Sequence, residues 1–324
     1  MTVVIINPEN GNVLKEKGGC LIDSEGNSFP IIDNVPRIAE GDNYTTNFGL
    51  QWNKFSATQL DKISRGIEES KDRLFAATHW NNEDLAGKEV LEVGSGAGRF
   101  SKVILEHTKA KLYSVDYSNA VVANYKNNAK LSPDRFKLYQ ASIYDLPFQD
   151  GSFDKVFCFG VLQHTPDFEL SVKSLIDKAK PGGEIVVDFY PIKGWWTKVN
   201  AKYILRPLTK RMGNEKLLML IKNNVEWLIK TYNMLDSIGL GILKRFLPVC
   251  EVNCFSSKLT YDELVESVIL DTFDQYSPEY DQPQRIKDVS KMFEKYGATV
   301  TFSGFEEFGG NGGSAAVVRG IKSV

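Results

Sequence analysis

The sequence predicts an α/β fold: a parallel sheet with helices on both faces, a small β-rich segment in front and a helical insertion after the fifth strand. Three observations predict it. From residue 88, short apolar β-branched runs alternate with helical patterns, the rhythm of strands joined by crossover helices. The first of these strands runs directly into three alternating glycines and then a helix. After Tyr190 the alternation stops and only helical amphipathicity remains. The chain of 324 residues, 42% apolar and 25% charged, has globular composition, which excludes a disordered or fibrous protein.

In chain order, residues 1–46 read as short strands and turns. Val3–Ile6 and Phe29–Ile32 are the apolar runs, and Asn10-Gly11 and Glu25-Gly26-Asn27 are the turns. Over residues 47–80, Trp52, Phe55, Leu60, Ile63, Ile67, Leu74 and Phe75 recur at roughly helical spacing, which fits one or two amphipathic helices. Strands then fall at Glu89–Val93, Lys111–Val115, Phe136–Gln140, Phe153–Phe159 and Glu184–Phe189, with helices over 99–108, 119–130 and 167–179. Residues 191–260 form the helical insertion, read as a lid over substrate. Residues 261–324 return to the α/β domain of 47–190, through a helix over about 284–296 and a hairpin of Ala298–Phe302 with Ala315–Ile321 at the sheet edge. The turn Gly309-Gly310-Asn311-Gly312-Gly313 joins the two strands.

Charge and cysteine content narrow the setting. With 39 basic and 41 acidic residues, the formal charge of −2 gives no global case for nucleic-acid binding. Four cysteines are too few for a disulfide framework, so a reduced, cytoplasmic location is expected. Cys250 and Cys254 are spaced for one helix face and read as ordinary thiols. No signal peptide is visible, and no apolar run approaches the ~18 residues of a membrane span. Contact with a membrane surface stays open.

The informative stretch is Val90-Leu91-Glu92-Val93-Gly94-Ser95-Gly96-Ala97-Gly98-Arg99-Phe100. Glycines between a strand and a helix permit positive φ and let a ligand approach the backbone, where helix N–H groups point at it. Dinucleotide enzymes use a similar turn. Here Glu92 precedes the first glycine, where an acid repels a pyrophosphate and suits a cationic amino-acid moiety. The spacing is also Gly-x-Gly-x-Gly and not Gly-x-Gly-x-x-Gly. The second strand ends at Asp116-Tyr117, placing a carboxylate for two ribose hydroxyls and a ring beside a purine. The third strand leads to Ser142-Ile143, where the purine edge falls. These are the parts of an adenosine site with no phosphate to bind.

On these residues the chain resembles the class I S-adenosylmethionine-dependent methyltransferases. The joint pattern is Glu92 to Gly98, Asp116, Leu146-Pro147-Phe148, Gly151-Ser152-Phe153-Asp154 and Lys180-Pro181-Gly182-Gly183. Gly160-Val161-Leu162-Gln163-His164-Thr165-Pro166-Asp167 looks like the quinone and small-molecule branch. The resemblance covers roughly residues 48–190 well and 270–324 more loosely. It implies a Rossmann-like sheet of seven strands, the last antiparallel, with S-adenosyl-L-methionine as cofactor. The cofactor residues it implies are Glu92, Gly94, Ser95, Gly96, Gly98, Asp116, Tyr117, Ser142, Ile143, Phe159 and Gly160, with Arg73 reaching the donor carboxylate or serving as a surface ion-pair partner. Ser142 stands where many relatives carry Asp, which implies a weaker bond to the adenine amino group. The stretch from Gly19-Cys20 to Arg37 resembles a degenerate zinc-ribbon module. Because a zinc site needs about four Cys or His ligands and only Cys20 is present, no metal is expected.

His164 is the candidate general base for an oxygen acceptor, with Thr165 capping a helix that starts at Pro166. Tyr190, at the end of the fifth strand, is a second catalytic candidate. Asp145 and Asp154 read as structural. Trp52 is either a helix residue on the core or part of an aromatic lid over a sulfonium. Between Lys193 and Lys230 nine basic residues face two acidic ones, so this stretch carries +7 and the rest of the chain −9. Lys198, Lys202, Arg206 and Lys210 are four apart, one drifting stripe on a helix that Pro207 kinks or restarts. Trp195 and Trp196 stand at its entrance. Trp52, Trp195, Trp196, Lys198 and Lys202 are therefore the substrate candidates, for a small-molecule or glycan-type acceptor of anionic character, and no nucleic-acid partner is expected. Three rival readings are a donor-binding scaffold without turnover, a C- or N-methyltransferase of a quinone-like or natural-product substrate, and a nicotinamide oxidoreductase, the last disfavoured by Glu92 and the glycine spacing.

Overall fold

The computed structural model describes residues 3–39, 44–309 and 313–324. Gly310, Asn311 and Gly312 of the expected hairpin turn lie outside the described residues.

The N-terminal segment is a four-stranded antiparallel sheet of β1 (Lys15–Lys17), β2 (Cys20–Ile22), β3 (Ser28–Ile32) and β4 (Val35–Pro36), in that order. Too small for a core of its own, it is held by polar contacts and by its neighbour. The Asp23 carboxylate accepts from the side-chain amides of Asn7, Asn10 and Asn27 and from two backbone N–H groups, tying both turn loops together. Val3–Ile6 does not form the strand its apolar run suggests. Ile5 and Ile6 make only single bridges, to Phe148 and Val13.

Helices α1 (Thr46–Lys54), α2 (Glu69–Thr78) and α3 (Asn82–Leu85) lead into the main sheet. Its chain order is β5 (Glu89–Val93), α4 (Arg99–His107), β6 (Lys111–Asp116), α5 (Val121–Asn128), β7 (Phe136–Gln140), β8 (Phe153–Phe159), α6 (Phe168–Lys178) and β9 (Ala179–Phe189). After the helical unit come α10 (Ile286–Lys295), β10 (Ala298–Phe308) and β11 (Gly313–Lys322). The spatial order is β10-β11-β9-β8-β5-β6-β7, with β5 to β9 parallel and β11 antiparallel between β9 and β10. This is the predicted seven-stranded sheet with its antiparallel last strand. The pleat sends Leu91, Val156, Cys158, Ile185 and Val187 into the core on one face and Val90, Phe157, Phe159 and Val186 into the core on the other. The open edge at β7 is covered by the N-terminal segment: the Ile38 N–H donates to the Gln140 carbonyl at 2.8 Å, and Arg37 to the Gln140 side chain at 2.7 Å.

The helical unit comprises α7 (Ala201–Thr209), α8 (Asn214–Ser237) and α9 (Tyr261–Tyr276). Leu217, Ile221, Leu228 and Tyr232 of α8 form one hydrophobic cluster with Val268, Leu270 and Phe273 of α9. The unit therefore extends beyond the expected boundary at 260, because α9 spends its apolar face on α8. Three local expectations also change. Helix α6 is capped by Asp167, whose side chain accepts from the Leu170 N–H, and not by Thr165. Thr165 instead bonds the Leu162 carbonyl at the end of a single turn over 162–164. Pro207 does not restart the helix: it lies inside α7, which runs on to Thr209. Cys250 precedes the short turn Val252–Cys254, so the two cysteines do not share a helix face.

Candidate active site

A cavity of about 920 Å³ opens at the C-terminal ends of β5, β6, β8 and β9, between the sheet and the helical unit. One half is built by the glycine loop. The Gly94 and Ser95 N–H groups bond the Val115 carbonyl, turning the chain sharply over the end of β6. Gly94 and Gly96 have φ of +79° and +51°. A Cβ on Gly94 would stand 2.2 Å from Val161, and one on Gly96 would stand 3.3 Å from the Trp52 indole. The backbone is thus bared to a narrow cradle with Trp52 as its roof. The Gly96 N–H donates to Asp116 at 2.7 Å, while the other carboxylate oxygen accepts from the Ser118 N–H and hydroxyl. Burial raises the Asp116 pKa above its ordinary value. Tyr117, Ala141 and Ile143 continue the wall, and Tyr44 packs between Tyr117 and Tyr280 with centroids 5.4 Å from each.

Three residues expected at the donor stand behind this wall. Glu92 is buried beneath the loop, where one carboxylate oxygen accepts from Ser101 and Ser114 at 2.5 Å. Its other oxygen has no hydrogen-bond partner of good geometry among the described residues, and burial pushes its pKa up to about 7 against the pull of those two hydroxyls. Gly98 faces α5, where a Cβ would collide with Asn124 and Asn128 at 2.2 Å, so its role is close packing. The Ser142 hydroxyl turns back to accept from the Tyr144 N–H. The remaining cofactor candidates, Ser95, Phe159, Gly160 and Arg73 included, lie on the wall. Arg73 is not a surface partner: its guanidinium grips one oxygen of buried Asp188, whose other oxygen accepts from the Gly160 N–H.

The other half is built from side chains far apart in sequence. His164 is buried, with Nδ1 3.0 Å from the Tyr280 carbonyl. A carbonyl only accepts, so Nδ1 carries the hydrogen and the Nε2 lone pair is free. Among the described residues no group partners Nε2. Burial, outweighing the pull of Asp274, lowers the His164 pKa below 6.5, so the ring is neutral near pH 7. Phe48 and Tyr190 pack on the ring at 5.3 and 5.6 Å. The Tyr190 hydroxyl donates to Asp274 at 3.2 Å, and burial with Asp274 nearby raises its pKa well above 10, which makes it a donor and not a base.

The sequence reading missed Asp271 and Asp274, three apart on α9 and both on the wall. Gln59 donates to Asp271 and Gln51 to Asp274, each at 3.2 Å. Burial and the neighbouring Asp274 push Asp271 up to about 7. Arg99, whose pKa burial lowers to about 10, reaches the Gln59 side chain at 3.0 Å.

The basic stripe is not one surface. Lys202 lies on the wall, 4.4 Å over the Tyr190 ring, and is paired with Asp281 at 2.9 Å. Arg206 is buried and donates to the Gln275 and Pro278 carbonyls. Lys198 and Lys210 are exposed. Trp195, Trp196 and Lys198 fall outside the cavity wall, because the turn that carries them points the indoles to solvent.

Residues 91–187 match the family described as methyltransferase domain. With the seven-stranded sheet, the bared glycine cradle and Asp116, this makes the chain the bearer of a class I S-adenosylmethionine-dependent methyltransferase domain. Among curated relatives it is 26% identical over 200 residues to the tRNA U34 carboxymethyltransferase of Nautilia profundicola, covering 56% of this chain and 64% of the relative. It is 31% identical over 130 residues to the ubiquinone biosynthesis O-methyltransferase of Coxiella burnetii, covering 39% and 55%. The chain thus spans less than two thirds of either. In fold it resembles a chain from the complex between the Haloferax volcanii Trm112 methyltransferase activator and a methyltransferase, with a TM-score of 0.50 and 11% identity over 86% of this chain and 98% of that one.

Proposed function

We propose that the protein methylates a hydroxyl of a small-molecule or glycan-type acceptor, with S-adenosylmethionine as donor and His164 as base. One observation carries this reading: a buried, neutral imidazole faces the cavity with Nδ1 tied to a carbonyl and Nε2 free. That is the state in which a histidine takes a proton at neutral pH. The sulfonium donor supplies a methyl group already activated for displacement. What is left to the protein is alignment, exclusion of water and removal of one proton.

Gly94, Gly96, Asp116, Tyr117 and Ile143 would hold the donor, and the Trp52 indole would close over it. Asp271 and Asp274 suit an acceptor with several hydroxyls, since carboxylates accept and both line the same cavity as the base. The anionic acceptor expected from Lys202 and Arg206 is not retained for the inner cavity, because Lys202 is already paired with Asp281 and Arg206 is buried against the Gln275 and Pro278 carbonyls. The two relatives are named for tRNA and for ubiquinone biosynthesis, so the acceptor is read here from this chain's own walls.

The test is calorimetric binding of the donor and of its demethylated product, followed by turnover on hydroxylated acceptors with wild-type protein and His164→Ala. Donor binding retained by both and turnover lost in the variant is the expected result. Turnover retained by the variant would assign His164 a packing role, and binding without any turnover would favour a scaffold.

A further inference from the structure

The outer surface of the helical unit is apolar where a water-facing surface is ordinarily polar. Helix α8 buries Ile221 and Leu228 against α9. On another face Leu220, Trp227 and Met234 are 50%, 61% and 53% exposed. Being seven apart, they drift by only ~20° per step and form one stripe along the helix. Two short turns of the same unit carry further exposed apolar side chains. Trp195 is 82% exposed in the turn Trp195–Lys198, and Ile242 is 74% exposed in the turn Gly241–Phe246. Arg245 donates to the Trp196 carbonyl at 2.6 Å, which fixes the two turns side by side. Helix α7 packs on both turns and adds exposed Ile204 and Leu208.

Two further facts say what this surface meets. The first is charge. Of the nine basic residues between 193 and 230, Lys202 and Arg206 are turned inward, leaving seven exposed against exposed Glu215 and Glu226, a net of +5. Lys216 and Lys230 border the α8 stripe, and Lys198 borders the tryptophans. The second is position. Ile242 and Thr197 from these two turns and Asn200 at the start of α7 line the cavity, so its wall is continuous with this apolar surface.

We propose that this surface docks on an anionic lipid bilayer and turns the cavity mouth toward it, so that the acceptor is a lipid-borne molecule drawn from the membrane. Apolar side chains ringed by lysines are what an interfacial helix presents to acidic headgroups. No described helix is long and apolar enough to cross a membrane, and interfacial docking requires none. A second copy of the chain is a poorer occupant, since a two-fold contact through this surface would set its positive charge against itself. The direction of acceptor entry rests on the methyl-transfer reading; the docking does not, and it is tested without turnover.

The full chain is sedimented with vesicles of phosphatidylcholine alone and with vesicles containing phosphatidylglycerol, while tryptophan emission is followed. Sedimentation only with the anionic vesicles, a blue shift and release by salt are expected, because the exposed charges are screened within ~8–10 Å at physiological strength. Trp195→Ser with Leu208→Ser and Phe246→Ser should lose at least about tenfold in vesicle partitioning, as should Lys198→Glu with Lys216→Glu and Lys230→Glu, given ~1 kcal/mol per basic residue at such a surface. All six positions are exposed, and unchanged donor binding would show that both variants fold. Absence of binding to anionic vesicles overturns the proposal, as does equal binding by both variants. A wild-type dimer that the variants dissolve, without vesicle binding, would assign the surface to a second copy. None of these outcomes touches the donor site, so methyl transfer can stand while docking falls.

Discussion

The donor half and the acceptor half of the cavity are held in opposite ways. In the donor half, backbone does the holding: Gly94, Ser95 and Gly96 bond Val115 and Asp116, and the Asp116 carboxylate is met by N–H groups and a hydroxyl. In the acceptor half, side chains from α1, α7, α9 and the loops beside them meet one another, and buried polar and charged groups pair in contacts that depend on the helical unit being in place. The first arrangement is rigid and costs little. The second carries the desolvation of Asp271, Lys202 and Arg99, and such groups are kept where they contact something the rest of the fold does not.

If the halves divide the work in this way, variants should separate them cleanly. The largest effect is expected from His164→Ala, a loss of ~10²–10⁴ in turnover with donor affinity unchanged. Its pH dependence sharpens the assignment. The base acts when neutral, and burial has lowered its pKa, so kcat should rise with pH through a value below 6.5 and stay level above it. A rise centred above 6.5 would point to another group.

Next in size is Asp281→Ala. Lys202 and Arg206 share this acid in a buried setting, and removing one partner of such a group costs about 3–5 kcal/mol. The loss should appear as a lower urea midpoint for the helical unit. Reversing Lys202 and Arg206 to Glu should likewise damage folding before it alters any Michaelis constant. A variant that melts like wild type would show the pair to be more hydrated than its burial suggests.

The same contrast explains what the sequence revealed. The donor half was legible because its parts lie close together: glycines two apart after an apolar strand, an acid one strand later, and φ values only glycine tolerates easily. The sheet was legible for the same reason, each strand being a separate short run. Asp271, Asp274 and Asp281 were not, because they come to His164 from more than 100 residues away and no local period marks them. Helix α9 did carry one local signal. Thr260 and Glu263 form a capping box, the mark of a helix start, and reading it would have brought Asp271 and Asp274, three residues apart, into view as one helix face. Lys202 and Arg206 were misplaced on an exposed stripe because spacing alone does not tell which side of a helix is covered. Glu92 and Gly98 belong to the pattern but act from beneath it, one bonded to serines and the other packed on asparagines.

Glu92 offers the third test. Its folded pKa of about 7 lies above the ordinary 4.5. Between those values the native state binds more protons than the unfolded chain, so stability falls as pH rises through this window and is level above it. Glu92→Gln removes the charge, and its stability relative to wild type should therefore improve on going from acid to pH 8, by roughly 3 kcal/mol at most. Urea titrations of both proteins at the two ends of the window measure this. A difference that does not change with pH would mean that Glu92 is already ionised under the loop.

The smallest effect is expected where backbone holding is strongest, at Asp116→Asn. The amide keeps one oxygen for Ser118 and loses the charge that would meet the ribose hydroxyls, so donor affinity should fall by about 1.5–3 kcal/mol, roughly 10- to 150-fold, with the rate on saturating donor little changed. Protonation mimics this substitution. Because burial raises the Asp116 pKa above 3.8, wild-type donor affinity should weaken on acidification sooner than for an ordinary carboxylate, and the Asn variant should lack that limb. Calorimetry of the demethylated donor across pH reads both. If Asp116→Asn instead lowers turnover and leaves affinity intact, the loop positions the reacting groups as well as holding the donor, and the two halves are not separable.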